Sequence, residues 1–170
     1  MTTVFYIAAA VAVFSTLMAI TRANAVHALL YMITSLLSAS LIFFLLGAPY
    51  VAALQAIVYA GAIMVLFVFV IMMLNQGPES TEQERVWISG KTWVGPTVLC
   101  TVLLIELIWI VRGDPAWLPG RTIVHPQDVS RALYGPYILV IELVSLLLTA
   151  GLVGAYHLGR REPDRREEER

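Results

Sequence analysis

The chain has 170 residues, of which 59% are hydrophobic and 14% charged, and its mean hydropathy is +0.78. Soluble domains carry about 25% charged residues, so an ordinary globule is excluded, and so is a disordered chain, which needs low hydrophobicity. A net charge of −1 gives no case for nucleic-acid binding, and the single Cys100 excludes an internal disulfide framework or a CxxC metal site.

Five apolar stretches follow one another along the chain, at 4–20, 26–46, 51–74, 94–111 and 137–158. A spanning helix needs about 20 apolar residues, with ~17–25 as the range, so each stretch qualifies. The first has no Lys or Arg before its apolar run, unlike a signal peptide, and reads as a retained helix. Asn24 can cap the second by accepting from the free N–H groups of its first turn. Gly47 and Pro49 leave a connection of a few residues, so the second and third helices form an antiparallel hairpin. Gly77–Pro78 ends the third helix and Gly135–Pro136 precedes the fifth. Trp87 and Trp93, Trp109 and Trp117, and Tyr137 and Tyr156 flank the last two spans, where aromatic rings prefer the headgroup level. The expected fold is all-α: one transmembrane domain over 1–159 and a charged, solvated tail over 160–170.

Orientation follows from the basic residues. Arg22, Arg85, Lys91, Arg160, Arg161, Arg165, Arg166 and Arg170 fall on one side, and Arg112, Arg121 and Arg131 on the other. The richer side should be cytoplasmic, which puts the N-terminus outside and the C-terminus inside. The segment 113–135 reads as the largest outer loop, too short for a domain.

Two carboxylates lie within spans, Glu106 and Glu142. A charge there costs ~2.5–3.5 kcal/mol on insertion scales, so both are candidates for function. Each sits roughly 8 Å below the outer boundary, counted at 1.5 Å per residue. They could share a polar pocket, with Arg112 or with a partner subunit, or each could snorkel to the interface. Ser145 and Thr149 follow Glu142 at i+3 and i+7, on one helical face. In the third helix Gln55 and Tyr59 share a face, while Ala52, Ala56 and Ala60 form a ridge of small residues extended by Gly61. Such ridges let helices approach closely in lipid. A glycine beside an aromatic in mid-helix is also where a π-bulge or kink can form. His27, His125 and His157 are too scattered to hold a metal, and no phosphate loop or nucleophile elbow is present. The residues thus describe a membrane component without a redox or hydrolytic centre of its own.

Three segments carry a resemblance: NAVHALLY at 24–31, YAGAIMVLFVFVIMML at 59–74 and GPYILVIELVSLLL at 135–148. Together they resemble the J-subunit family of bacterial proton-pumping NADH:quinone oxidoreductase, respiratory complex I, over nearly the whole chain to about residue 160. The resemblance implies a non-catalytic subunit of the membrane arm, in the bacterial inner membrane. Its partners would be subunits of the A, H and K types, with quinone and lipid nearby. NAD, FMN, iron–sulfur clusters and quinone would be used on other subunits, with no cofactor here. It further implies a π-bulge near the glycine motif whose rotation gates a hydrated proton path. Tyr59, Gly61 and Val65 would lie at that switch, and Glu142 matches the family's fifth-helix acid. The chain departs from the pattern at Ala25, where proline is frequent, and at Gln55, where some members have glutamate. Glu106 is outside the pattern. The competing readings are a purely structural scaffold, or a related subunit of a membrane-bound hydrogenase or multisubunit cation/proton antiporter.

Overall fold

A computed structural model describes residues 2–74, 90–112 and 123–160, apart from the side chains of 90–92. Helix α1 is Thr2–Thr21 and α2 is Ala25–Leu45. The third, α3, runs over Pro49–Leu74, and α4 over Gly90–Arg112. A short α5, Pro126–Tyr134, precedes α6, Ile138–Gly159. The described residues are all helical and loop, and five of the helices are long and apolar enough to cross a membrane. Helix α5 lies inside the segment read as an outer loop: Pro126 opens it, and an amphipathic helix of only nine residues is easily hidden among prolines. The Gly77–Pro78 stop, Arg85, Trp87, Trp117, Arg121 and the tail beyond Arg160 lie outside the described residues.

The chain divides into two compact parts, 1–125 and 126–170. In the first, local chemistry sets the helix ends. The Asn24 side chain accepts from the N–H groups of Val26 at 2.9 Å and His27 at 3.3 Å, capping α2. At the other end Gly47 takes a left-handed φ of 86°. Its N–H donates to the Phe44 carbonyl and that of Ala48 to Phe43, a Schellman closure that turns the chain sharply into Pro49. Ser40 then ties α2 to α3 by donating to the Ala52 carbonyl at 2.7 Å.

Helices α1, α2 and α4 share one seam. The buried residues of α2 are His27, Tyr31, Thr34, Ser38, Leu41 and Leu45, and those of α1 are Val4, Ala8, Val11 and Ser15. On α4, Leu103 and Glu106 are buried, with Leu99 and Ile110 packed around Ala8, Val11, Leu41 and Leu103. Each series steps by three and four residues, the spacing of helices that pack along a common stripe. Ser38 donates to the Ala8 carbonyl at 2.6 Å and Ser35 to Ala12 at 3.2 Å, so α1 and α2 run antiparallel at close range. Thr34 meets Cys100 at 3.5 Å, and the rings of His27 and Trp93 stack edge-on at 6.3 Å, so α4 runs parallel to α2. Small residues allow this approach, since lipid supplies no hydrophobic drive between helices.

Candidate functional site

The third helix is not a regular α-helix. Residues Pro49–Leu54 are α-helical, Gln55–Ile63 form a π-helix, and Met64–Leu74 return to the α form. The N–H of Met64 reaches back five residues to the Tyr59 carbonyl and shares Gly61's. Wide turns of this kind are rare and are usually single-turn bulges at functional sites; nine residues is a long example. The stretch spans the segment that holds Gln55, Tyr59 and Gly61.

Its faces are unequal. Ala52, Ala60 and Met64 are buried, in a helix that packs on α2. Gln55, Ala56 and Gly61 are half-buried. Tyr59 and Val65 are exposed, at 51% and 61%, on the surface of the chain. Of the ridge read from the sequence, the two ends are thus buried and the middle is at the margin. A Cβ placed on Gly61 would lie 3.4 Å from the Ala56 carbonyl oxygen, an ordinary contact. The π form therefore accommodates a methyl at Gly61, and any steric demand there starts beyond Cβ.

Glu142 lies on α6, in the second part of the chain, and its side chain is exposed. Ser145 donates to the Glu142 carbonyl at 2.8 Å and Thr149 to the Ser145 carbonyl at 2.9 Å. Both hydroxyls are turned onto their own helix backbone, as serine and threonine do when a span offers no other acceptor.

Glu106 neither snorkels nor pairs with Arg112. It is 7% exposed, and neither carboxyl oxygen has a hydrogen-bond partner. The sequence alone does not show this, because only the register of Leu99, Leu103 and Ile110 turns that position inward. Nor does it show the polar face of α2 directly. His27, Tyr31, Thr34 and Ser38 stand four, three and four residues apart, and that spacing was the available signal. No group of His, Cys, Asp and Glu suited to a metal occurs among the described residues.

Residues 15–158 match the model of the family described as NADH-ubiquinone/plastoquinone oxidoreductase chain 6. The chain is 58% identical over 159 residues to NADH-quinone oxidoreductase subunit J of Pseudomonas aeruginosa, covering 93% of this chain and 96% of that one. To subunit J of Escherichia coli K12 it is 49% identical over 158 residues, covering 93% and 86%. A Buchnera aphidicola subunit J is 43% identical over 162 residues, covering 94% and 98%. A match over most of its length, on five spans, places the chain in the NADH-ubiquinone/plastoquinone oxidoreductase chain 6 family.

Proposed function

We propose that this chain is the J-type membrane-arm subunit of a proton-pumping NADH:quinone oxidoreductase in a bacterial inner membrane, and that its third helix is a two-state coupling element. Its N-terminus faces outward and its C-terminus the cytoplasm, following the distribution of Lys and Arg. Subunits of the A, H and K types are its neighbours. NAD, FMN, iron–sulfur clusters and quinone belong to other subunits and supply the redox chemistry. This chain moves no electrons and has no catalytic residue.

One observation carries the coupling role: the π-helix at Gln55–Ile63 coincides with the glycine motif. A π turn holds an extra residue, so conversion to α-helix advances everything after it by about one residue, or ~100° at 3.6 residues per turn. Val65 and Leu66 now lie on the exposed side and would rotate away from it. Coupling requires two discrete arrangements of similar energy, and this register shift is one such pair. Tyr59 and Gly61 stand inside the stretch that converts and Val65 two residues beyond it. Glu142 is the candidate acid of the proton path, because a carboxylate within a span is costly unless it faces protein or water.

The test is Gly61→Leu in the assembled complex. A side chain beyond Cβ must clear the Ala56 carbonyl and any helix seated on the small surface. A bias of about 1.4 kcal/mol between the two forms changes their ratio tenfold. Quinone reductase and pumping rates should fall severalfold while the complex assembles. Electron transfer from NADH to an artificial acceptor should stay near normal. Density maps should contain one form of α3. Unchanged pumping with both forms retained would reduce Gly61 to a packing residue.

A further inference from the structure

The α1–α2–α4 seam contains polar groups of two kinds. Thr34 and Ser38 have partners, in the Leu30 and Ala8 carbonyls. Ser15 Oγ, His27 Nδ1 and both oxygens of Glu106 are shielded and have none. The residues that own them are 0%, 6% and 7% exposed, so these are interior atoms of the bundle. Buried polar atoms in folded proteins almost always have a partner, and where the protein gives none the partner is ordinarily water. A neighbouring subunit is a poor alternative, because this chain's own helices already cover the atoms.

The register places these groups along one seam, with Glu106 near the level of Ser38. Cys100 lies beside Thr34, which fixes the relative height of α2 and α4. Ser38 is four residues beyond Thr34, about 6 Å along α2, and Glu106 is six beyond Cys100, about 9 Å along α4. Ser38 and Glu106 therefore differ in height by only ~3 Å in two parallel neighbours. Ala8, Val11, Leu41 and Leu103 fill the rest of that level with apolar side chains. Among the described residues neither carboxyl oxygen has a partner. The hydroxyls of Ser38 and Thr34 each donate to a carbonyl and still keep lone pairs that can accept. Ser15 stands farther along α1 in the direction of Tyr31, since α1 pairs Ala8 with Ser38 and Ala12 with Ser35.

We propose that the interior of α1, α2 and α4 is a hydrated carboxyl site: bound water at Glu106, continued past Ser38 and Thr34 to Ser15 and His27. It is separate from the third helix and goes beyond the coupling role given to it. The chemistry is a proton exchange. One proton passes between a Glu106 carboxyl oxygen and the adjoining water, the electron pair of the broken O–H bond staying on the oxygen that releases it. No other bond changes and no co-reactant is needed.

A density map of the intact complex at water-resolving resolution tests the site. Water density is expected at about 2.8 Å from a Glu106 oxygen and again beside Ser15 Oγ. A dry carboxyl, or one bonded to a side chain of another subunit, overturns the proposal. Infrared difference spectra of wild type and Glu106→Gln under H2O/D2O exchange give an independent reading. The glutamate carboxyl bands that respond to exchange within minutes should be lost completely in the variant. Spectra identical in the two complexes would show that Glu106 is sealed from water, and the proposal would fail.

Discussion

Helices α2 and α3 are neighbours, with mean hydropathies of 2.1 and 2.8, yet they present their polar groups in opposite ways. A third of α2's spanning window is buried, against 11% for α3. His27, Tyr31, Thr34 and Ser38 are buried, and Thr34 and Ser38 find hydrogen-bond partners on α4 and α1. In α3 the tyrosine of the glycine motif lies on the exposed side, and the backbone itself departs from α geometry. Apolar content makes a helix cross a bilayer but does not say which of its faces meets protein. That is set by the small and polar residues, which is the reverse of a soluble bundle. Helix α2 serves the integrity of the subunit, whereas α3 offers an exposed surface and an irregular backbone to whatever lies beside it.

The contrast would break if the chain were sufficient by itself. Expressed without other subunits, it should fail to accumulate as a monodisperse protein, because intramembrane groups such as Gln55, Tyr59 and Glu142 lack their environment. Co-expression with the neighbouring membrane-arm subunits should restore it. Membrane abundance and size-exclusion profiles check this, and a stable lone chain with native helix packing would count against it.

A smaller effect is expected from the α2–α4 contact. A Cβ on Gly95 would collide with the hydroxyl of the buried Tyr31. Gly95→Ala should destabilise the subunit by about 1–3 kcal/mol, the usual cost of overpacking. Tyr31→Phe removes the oxygen that is struck, leaving ring carbon Cζ at 3.1 Å from that Cβ. The double variant should therefore recover part of the loss, giving a coupling that a thermal-shift cycle on the complex can measure. Additive losses would show that α4 does not rest on Tyr31 as described.

The mildest change is Glu142→Gln. It keeps shape and should leave complex abundance normal. On the coupling reading it raises the barrier of proton transfer, and about 1.4 kcal/mol there would read as a tenfold lower pumping rate. Were Glu142 a packing group like Ser38, the substitution would be nearly silent. Proton uptake in reconstituted vesicles distinguishes the two.

Much of this was legible in the residues. The five spans, the Asn24 cap and the turn at Gly47–Pro49 each rest on local chemistry that a sequence states directly. The glycine motif also marked the place where α3 departs from regular helix. The seam was not legible, because in a span nearly every residue is apolar and no hydrophobic contrast marks a face. His27, Tyr31, Thr34 and Ser38 form a face only through a spacing that matches the buried series of α1. The inward turn of Glu106 depends on the same register, which no single helix reveals. The nine residues of α5 were hidden by their brevity and by the prolines around them.

The antiparallel pairing of α1 and α2 has a consequence in time. Only three residues join them, and their shared hydrogen bonds link positions 19 to 30 apart in sequence. Contacts so close along the chain close their loops cheaply and form early. The hairpin can therefore assemble in the bilayer while the later helices are still being synthesised. Helix α4 then arrives as a third member, and its Cys100 meets Thr34 across 66 positions of sequence. A newly made subunit thus acquires its polar seam in order, first from one side and then from the other, and Glu106 enters last.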